Sequence, residues 1–396
     1  MNSFVYNTPT KVIFGKQSEE QIGTLIQEMN CQKVLIHFGS GSIIRSGLLN
    51  KICSYLDNKN ISYVQLGGVV PNPRLSKVYE GIELCRKENV DFILAVGGGS
   101  VIDSAKAIGY GAFDEGDVWD FFEHTRQPKN CLPIGAILTI SAAGSEMSNS
   151  CVITNDSNLK KRGCKSEFGR CRFALLNPEL TMTLPMYQTQ SGCVDIIMHT
   201  MERYFNQSSN MDITDGISEA LMRTVIKNAR ILMEKPLDYD ARAEVMWAGS
   251  LSHNGLTGCG TDGGDWACHQ LEHELGGMFD VTHGAGLSAV WGSWARYVYK
   301  ERPDRFSLFA ERVMGILDIE NEEDKILAGI KAMEDFYRCI DMPTSLKELG
   351  LDVTEEQLEL LAQNCSFHNT RTVGIVKKLN KDDMYQIYKN AQFSQK

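Results

Sequence analysis

The sequence predicts an α/β N-terminal domain with a parallel sheet, followed by an all-α C-terminal domain. Three observations predict it. Short apolar strand candidates alternate with helical runs over roughly the first 180 residues. Strand candidates almost vanish after residue 184. Glycine-rich turns follow buried strands in the first half, whereas histidines at helical spacing gather in the second.

The opening FVYNTPTKVIFG (4–15) reads as two short strands around a Pro turn. It suits a local hairpin over a sheet edge, or pairing across a subunit interface. KVLIHFG (33–39) is a strand by its apolar run. A Gly/Ser turn follows, then the amphipathic IIRSGLLNKICSYLDNK (43–59). ISYVQLGGV (61–69) is a strand, LSKVYEGIELCRKENV (75–90) has helical spacing, and DFILAV (91–96) and GAILTI (135–140) are further strands. Strands this short and continuously apolar suit a parallel sheet buried on both faces.

The rhythm changes at NPELTMTLPMYQTQSG (177–192). Long runs of helical period follow: residues 186–205, 215–233, 240–256 and 287–300. The boundary falls near Leu184–Pro185, with Pro185 at a helix start, giving domains 1–183 and 184–396.

A formal net charge of -10 argues against nucleic acid or an anionic membrane as the main partner. No apolar run reaches the roughly 18 residues a membrane span needs. The N-terminus has no charged region leading into a long apolar run, so no signal peptide is read and a cytoplasmic location is expected. Twelve cysteines stand singly with no CxxC pair. They read as reduced, mostly buried thiols, which disfavours a cysteine zinc site.

DFILAVGGGSVIDSAKAIGYGA sets Gly97, Gly98 and Gly99 between a buried strand and a helix. Ser100 is a candidate cap, with Asp103 three residues on as an aspartate variant of the capping box. Backbone N–H groups and the helix dipole then suit a pyrophosphate. The alternative is a tight turn that needs glycine for its backbone angles alone. A second turn, Gly39-Ser40-Gly41-Ser42, carries no acid. A carboxylate there would bond a ribose 2′-hydroxyl and repel a 2′-phosphate, so its absence tilts the choice toward NADP(H) over NAD(H). No arginine lies within that turn, and Arg45 is nearest.

Asp195 and His199 stand four apart in a helical context, on one face. His269 and His273 are also four apart, in WACHQLEHEL, which Gly276 and Gly277 are expected to terminate. His283 opens the next helix, with Thr282 as its cap. Alone, each pair reads more readily as a surface pair than as a ligand pair. Together, one carboxylate and three or four imidazoles make an N/O set without thiolate, suited to Fe²⁺, Zn²⁺ or similar ions. The run HQLEH lacks the Glu directly after the first His that a zinc protease uses. His37, His124, His253 and His368 lack such company and read as structural or surface residues.

Asp195-x3-His199, His269-x3-His273-x9-His283-Gly284 and the upstream GGGSxxDxAK (97–106) resemble the iron-containing (group III) alcohol dehydrogenases. The likeness is greatest to their NADPH-dependent butanol dehydrogenase and broad-range aldehyde reductase branch, and it covers essentially the whole chain. It implies the dehydroquinate synthase-like architecture, with a nucleotide-binding α/β domain and a helical metal-binding and catalytic domain. It implies Asp195, His199, His269 and His283 as ligands of a divalent metal, with His273 beside them as a proton-relay residue. Gly97, Gly98, Gly99 and Ser100 would cradle the pyrophosphate, and Asp103 would lie near the nicotinamide and substrate. Asn72, within Pro71-Asn72-Pro73, would lie near the adenosine end, and Lys161 near the cofactor. A homodimer and a small aldehyde or alcohol substrate follow from the same resemblance.

Two stretches depart from the family pattern. TISAAGSE (139–146) keeps Thr139, Gly144 and Ser145, but Ile140 and Ala143 replace hydroxyl residues. VWGSW (290–294) replaces an aliphatic-Pro turn and is expected to reshape the pocket entrance. The alternatives are a glycerol or polyol dehydrogenase or a lyase of the same fold, or a nucleotide-and-metal-binding protein without catalysis.

Overall fold

The computed structural model describes residues 1–394. It divides into two compact units, Asn7–Leu184, and Met1–Tyr6 together with Pro185–Lys396.

The Asn7–Leu184 unit runs β1 (Lys11–Phe14), α1 (Ile22–Glu28), β2 (Lys33–Gly39), α2 (Ser42–Arg45), α3 (Leu48–Asp57), β3 (Ser62–Val69), α4 (Leu75–Glu88), β4 (Phe92–Gly97), α5 (Gly99–Phe113), α6 (Trp119–Phe122), β5 (Ile134–Leu138), β6 (Ser150–Asn155), β7 (Lys160–Lys165) and β8 (Phe173–Leu176). Six strands form one sheet in the order β1-β8-β5-β4-β2-β3, every neighbouring pair parallel. β6 and β7 make a separate antiparallel hairpin. The inner strands β4 and β5 are buried at every residue, as their apolar runs require.

Alternation along β2 sorts the two faces. Val34, Ile36 and Phe38 join Ile22, Ile26, Ile52 and Leu56 of α1 and α3 in one core. His37 points the other way and bonds Ser104 of α5. α4 packs on α5 through Gly81, where a Cβ would stand 2.3 Å from Ile108 Cδ1.

Two local expectations need correction. No N-terminal hairpin forms: β1 is the one strand in that stretch, and it pairs parallel with β8. Thr10 sets its start by donating a hydrogen bond to the Cys171 carbonyl at 2.7 Å. The 43–59 run is broken at Gly47, whose φ of 76° stops one helix before the next begins.

The other unit is helical: α7 (Met186–Tyr204), α8 (Asp212–Glu234), α9 (Tyr239–His253), α10 (Ala267–Phe279), α11 (His283–Val298), α12 (Pro303–Arg312), α13 (Glu322–Cys339), α14 (Glu355–Cys365) and α15 (Lys381–Asn390). α7 and α11 are buried on nearly all sides, so they form its centre. The VWGSW stretch is uninterrupted helix, with Trp291 and Trp294 fully buried against Phe309, Phe205 and Phe306. It fills the core. All twelve cysteines are free thiols. Among the described residues no helix is long and apolar enough to cross a membrane.

Candidate metal centre

α7 is buried from Thr189 to Tyr204, so its polar residues cannot be mere surface. Asp195 and His199 are 3% and 5% exposed. The Oδ1 of Asp195 lies 3.3 Å from His199 Nδ1, and 3.6 Å from the Nε2 of both His269 and His283. Donor atoms of Asp195, His199 and His269 all fall within 4.8 Å of one another. These three atoms are buried and have no hydrogen-bond partner. Buried acceptors crowded this way need a positive charge among them. One carboxylate and three imidazoles fit a divalent cation of the Fe²⁺ or Zn²⁺ kind.

The titration of these groups reports the same field. Burial pushes His199 well below the ordinary imidazole range. Burial acts likewise on His269, but the Glu202 and Asp195 carboxylates outweigh it and favour positive charge there. Asp195 is buried too, yet His283 and His269 draw its carboxyl below the usual value.

α10 runs straight through Gly276 and Gly277 and ends only at Asp280, whose φ is 53°. A glycine pair inside a packed helix costs propensity but does not stop it, so the expected terminus was too early. Thr282 stands at the N-cap of α11 as expected, though its side chain makes no capping bond. His273 is 8% exposed, its ring centred 6.0 Å from that of His283 and 6.5 Å from that of His269.

Other neighbours escaped the sequence reading. Glu202 bonds His269 Nδ1, and Glu272 bonds His283 Nδ1. His253, read above as structural or surface, lies with its ring 4.1 Å from that of His199. It is drawn in from the end of α9, a contact invisible to local spacing. Trp266 covers the same side, 5.4 Å from His269 and 6.1 Å from His199, with the Arg203 guanidinium 4.5 Å over its ring. Only the two acids left a signal: Glu202 is seven after Asp195 and Glu272 three after His269, on the ligand faces.

The glycine turns both lie at carboxyl ends of parallel strands. β2 leads to Gly39-Ser40-Gly41-Ser42, and β4 leads to Gly97-Gly98-Gly99. β2 and β4 are sheet neighbours, and the strand order reverses between them. That switch point is where open α/β sheets bind ligands. Gly98 is the N-cap of α5, and no side chain caps it. The expected capping box is therefore absent. Asp103 instead accepts bonds from Ser145 Oγ and, at 2.8 Å, from the Val152 N–H. Ser100 sits inside the first turn of α5. Thr139 joins this group through its N–H, 3.0 Å from the Gly97 carbonyl.

Lys106 closes the GGGSxxDxAK motif. It is fully buried, and its Nζ donates to the carbonyls of Ser145, Ser148 and Ser150 at 2.7, 3.0 and 2.8 Å. Asn72 is buried at φ 53°, and the adjoining Pro73 carbonyl accepts from Thr154 at 2.8 Å. Thr154 pairs in register with Lys161, which is 4% exposed, so the hairpin gathers these residues. The Arg45 guanidinium reaches back over the first turn, 3.2 Å from where a Cβ on Gly41 would stand.

Two family models match the chain. "Iron-containing alcohol dehydrogenase" covers residues 9–178, and "Fe-containing alcohol dehydrogenase family, C-terminal" covers 189–392. The chain belongs to the iron-containing alcohol dehydrogenase family. It is 39% identical to NADH-dependent butanol dehydrogenase A of Clostridium acetobutylicum, over 99% of this chain and 100% of that one. It is 32% identical to the NADPH-dependent aldehyde reductase YqhD of Escherichia coli, over 99% and 100%. It is 27% identical to the 1,3-propanediol dehydrogenase of Citrobacter freundii, over 98% of each. The crystal structure of NADH-dependent butanol dehydrogenase A from Thermotoga maritima superposes with a TM-score of 0.96 at 39% identity, covering 99% of each chain. As a member of this family the chain is an enzyme of the alcohol dehydrogenase and aldehyde reductase kind.

Within the family fold, the departures in TISAAGSE have a location. Ile140 and Ala143 press on the glycine turn: a Cβ on Gly98 would meet Ile140 Cβ at 2.9 Å, and one on Gly99 would meet Ala143 Cβ at 2.8 Å. All three glycines are thus held small by this chain's own side chains, since a Cβ on Gly97 would meet Val101 Cγ2 at 2.5 Å.

Proposed function

We propose that this iron-containing alcohol dehydrogenase family member interconverts short-chain aldehydes and primary alcohols with a nicotinamide cofactor at a divalent-metal site. The observation that carries the reading is the buried convergence of Asp195 Oδ1, His199 Nδ1 and His269 Nε2, each without a hydrogen-bond partner.

Asp195, His199, His269 and His283 would hold Fe²⁺ or Zn²⁺. Gly97, Gly98, Gly99 and Ser100, at the open start of α5, would hold the pyrophosphate. Thr139 and Ser145 would bound the same turn, with Asp103 and Lys106 holding Ser145 in place. Asn72 would serve the adenosine end, and Lys161 would lie near the cofactor. When bound, the cation polarises the substrate oxygen and the nicotinamide supplies the hydride. His273 would pass a proton to the reduced oxygen, directly or through water.

The acid-free turn at 39–42 and the guanidinium of Arg45 support NADP(H) over NAD(H). The butanol dehydrogenase relatives named for NADH make this the first property to measure. A polyol is the second substrate reading, favoured by the likeness to a 1,3-propanediol dehydrogenase. A homodimer in the cytoplasm completes the proposal.

The test is NADPH and NADH oxidation at 340 nm with a series of short aldehydes and 3-hydroxyaldehydes, before and after chelator treatment. Oxidation that stops with chelator and returns with Fe²⁺ or Zn²⁺ is expected. Oxidation unaffected by complete metal removal sinks the reading. His269→Ala should lose both metal and turnover.

A further inference from the structure

We infer that Glu202 and Glu272 are positioning residues that decide which imidazole nitrogens of His269 and His283 face the metal. The inference deepens the metal reading above and rests on it.

Neither acid belongs to the ligand group. Glu202 on α7 bonds the Nδ1 of His269 on α10, and its second oxygen takes the His269 backbone N–H at 3.2 Å. Glu272 on α10 bonds the Nδ1 of His283 on α11. An ionised carboxylate only accepts, so each Nδ1 must carry the proton. Each Nε2 is then left with its lone pair, and both Nε2 atoms lie 3.6 Å from Asp195 Oδ1. The ring nitrogen that binds a metal is set by the bond the other nitrogen makes.

The two contacts form a series. α7 supplies the acid that orients a ligand on α10, and α10 supplies the acid that orients a ligand on α11. The fold makes room for the second step at Gly286, where a Cβ would stand 2.8 Å from Glu272 Cγ. Glu202 and Glu272 are 1% and 0% exposed. Burying two carboxylates is costly unless each is matched. An imidazole polarised by a cation on its far nitrogen supplies that match.

The measurement is equilibrium binding of Co²⁺ alone to the purified, metal-stripped full chain, by chelator competition and by its visible absorption. Glu272→Ala and Glu202→Ala should each weaken Co²⁺ binding by about 10- to 100-fold and alter the absorption spectrum. Glu272→Gln, which keeps an acceptor oxygen, should lose less. The melting temperature of metal-free Glu272→Ala should stay near that of the metal-free parent. If the parent binds no Co²⁺, the metal reading itself fails. If the parent binds and Glu272→Ala binds equally well with the same spectrum, this inference is overturned. Should either alanine variant fail to fold, Glu202→Met and Glu272→Met, which keep the side-chain length without a carboxylate acceptor, decide by the same criteria.

Discussion

Gly284 of α11 lies so close to Ser191 of α7 that a Cβ on Gly284 would stand 2.0 Å from the Ser191 carbonyl oxygen. The two helices bring His283 and Asp195 together, so their approach sets the span of the candidate metal site. Gly284→Ala must push them apart, because backbone cannot give way as a flexible side chain can. We expect a loss of roughly 1–3 kcal/mol in stability. Co²⁺ affinity should fall with it. Urea unfolding with and without Co²⁺ checks both, and an unchanged midpoint would refute the close-packing argument.

His37 gives a pH prediction. Its ring is buried, with Nδ1 3.0 Å from the Leu66 carbonyl and Nε2 2.9 Å from Ser104 Oγ. The carbonyl can only accept, so Nδ1 carries the proton and Nε2 accepts from Ser104. Burial, aided by the charge of Lys77, lowers this histidine to about 4 against 6.5 in an open chain. The unfolded state therefore binds more protons between those values. His37's contribution is complete above pH 6.5 and lost as pH falls toward 4, a difference of roughly 3 kcal/mol. Stability should drop less steeply over this window in His37→Gln than in the parent. Urea midpoints at pH 7 and pH 4.5 measure it.

Lys106 fastens the 145–150 segment to α5 through three carbonyls. Lys106→Met keeps the length but leaves those oxygens without their donor. The expected cost is about 2–3 kcal/mol of stability. Nucleotide binding should weaken as well, since Ser145 loses a fastening. Nucleotide titration by fluorescence checks the second effect, and unaltered affinity would confine Lys106 to stability.

Arg45 and the acid-free turn predict a nucleotide preference. Arg45→Ala should raise the KM for NADPH roughly tenfold, the loss of about one charge-assisted bond. The KM for NADH should stay within about twofold. Equal effects on both nucleotides would remove the argument for NADP(H).

The candidate metal residues were legible because helical spacing is a local property. Asp195 and His199, like His269 and His273, announce a shared face by standing four apart. The apolar runs of β2, β4 and β5 were legible for the same reason, since burial on both faces leaves an unbroken signature. The short strands beside one edge of the sheet were harder. β1 and β8 are four residues each and take their meaning from pairing with each other across the sequence. The glycines at 276 and 277 misled, because helix propensity counts the cost of glycine but not the packing that overrides it.

The sequence by itself determined the two-part organisation, the glycine turns and the set of residues able to hold a metal. All follow from periodicity and residue chemistry, which act within a few turns of chain. The tertiary structure alone decided which groups surround that set. Glu202 reaches His269 across 67 positions, His253 swings in beside His199, and Trp291 and Trp294 enter the core. It also turned Asp103 from a helix cap into a clasp on Ser145 and Val152. Such contacts depend on how helices cross and how closely glycine lets them approach, and no spacing along one segment encodes that.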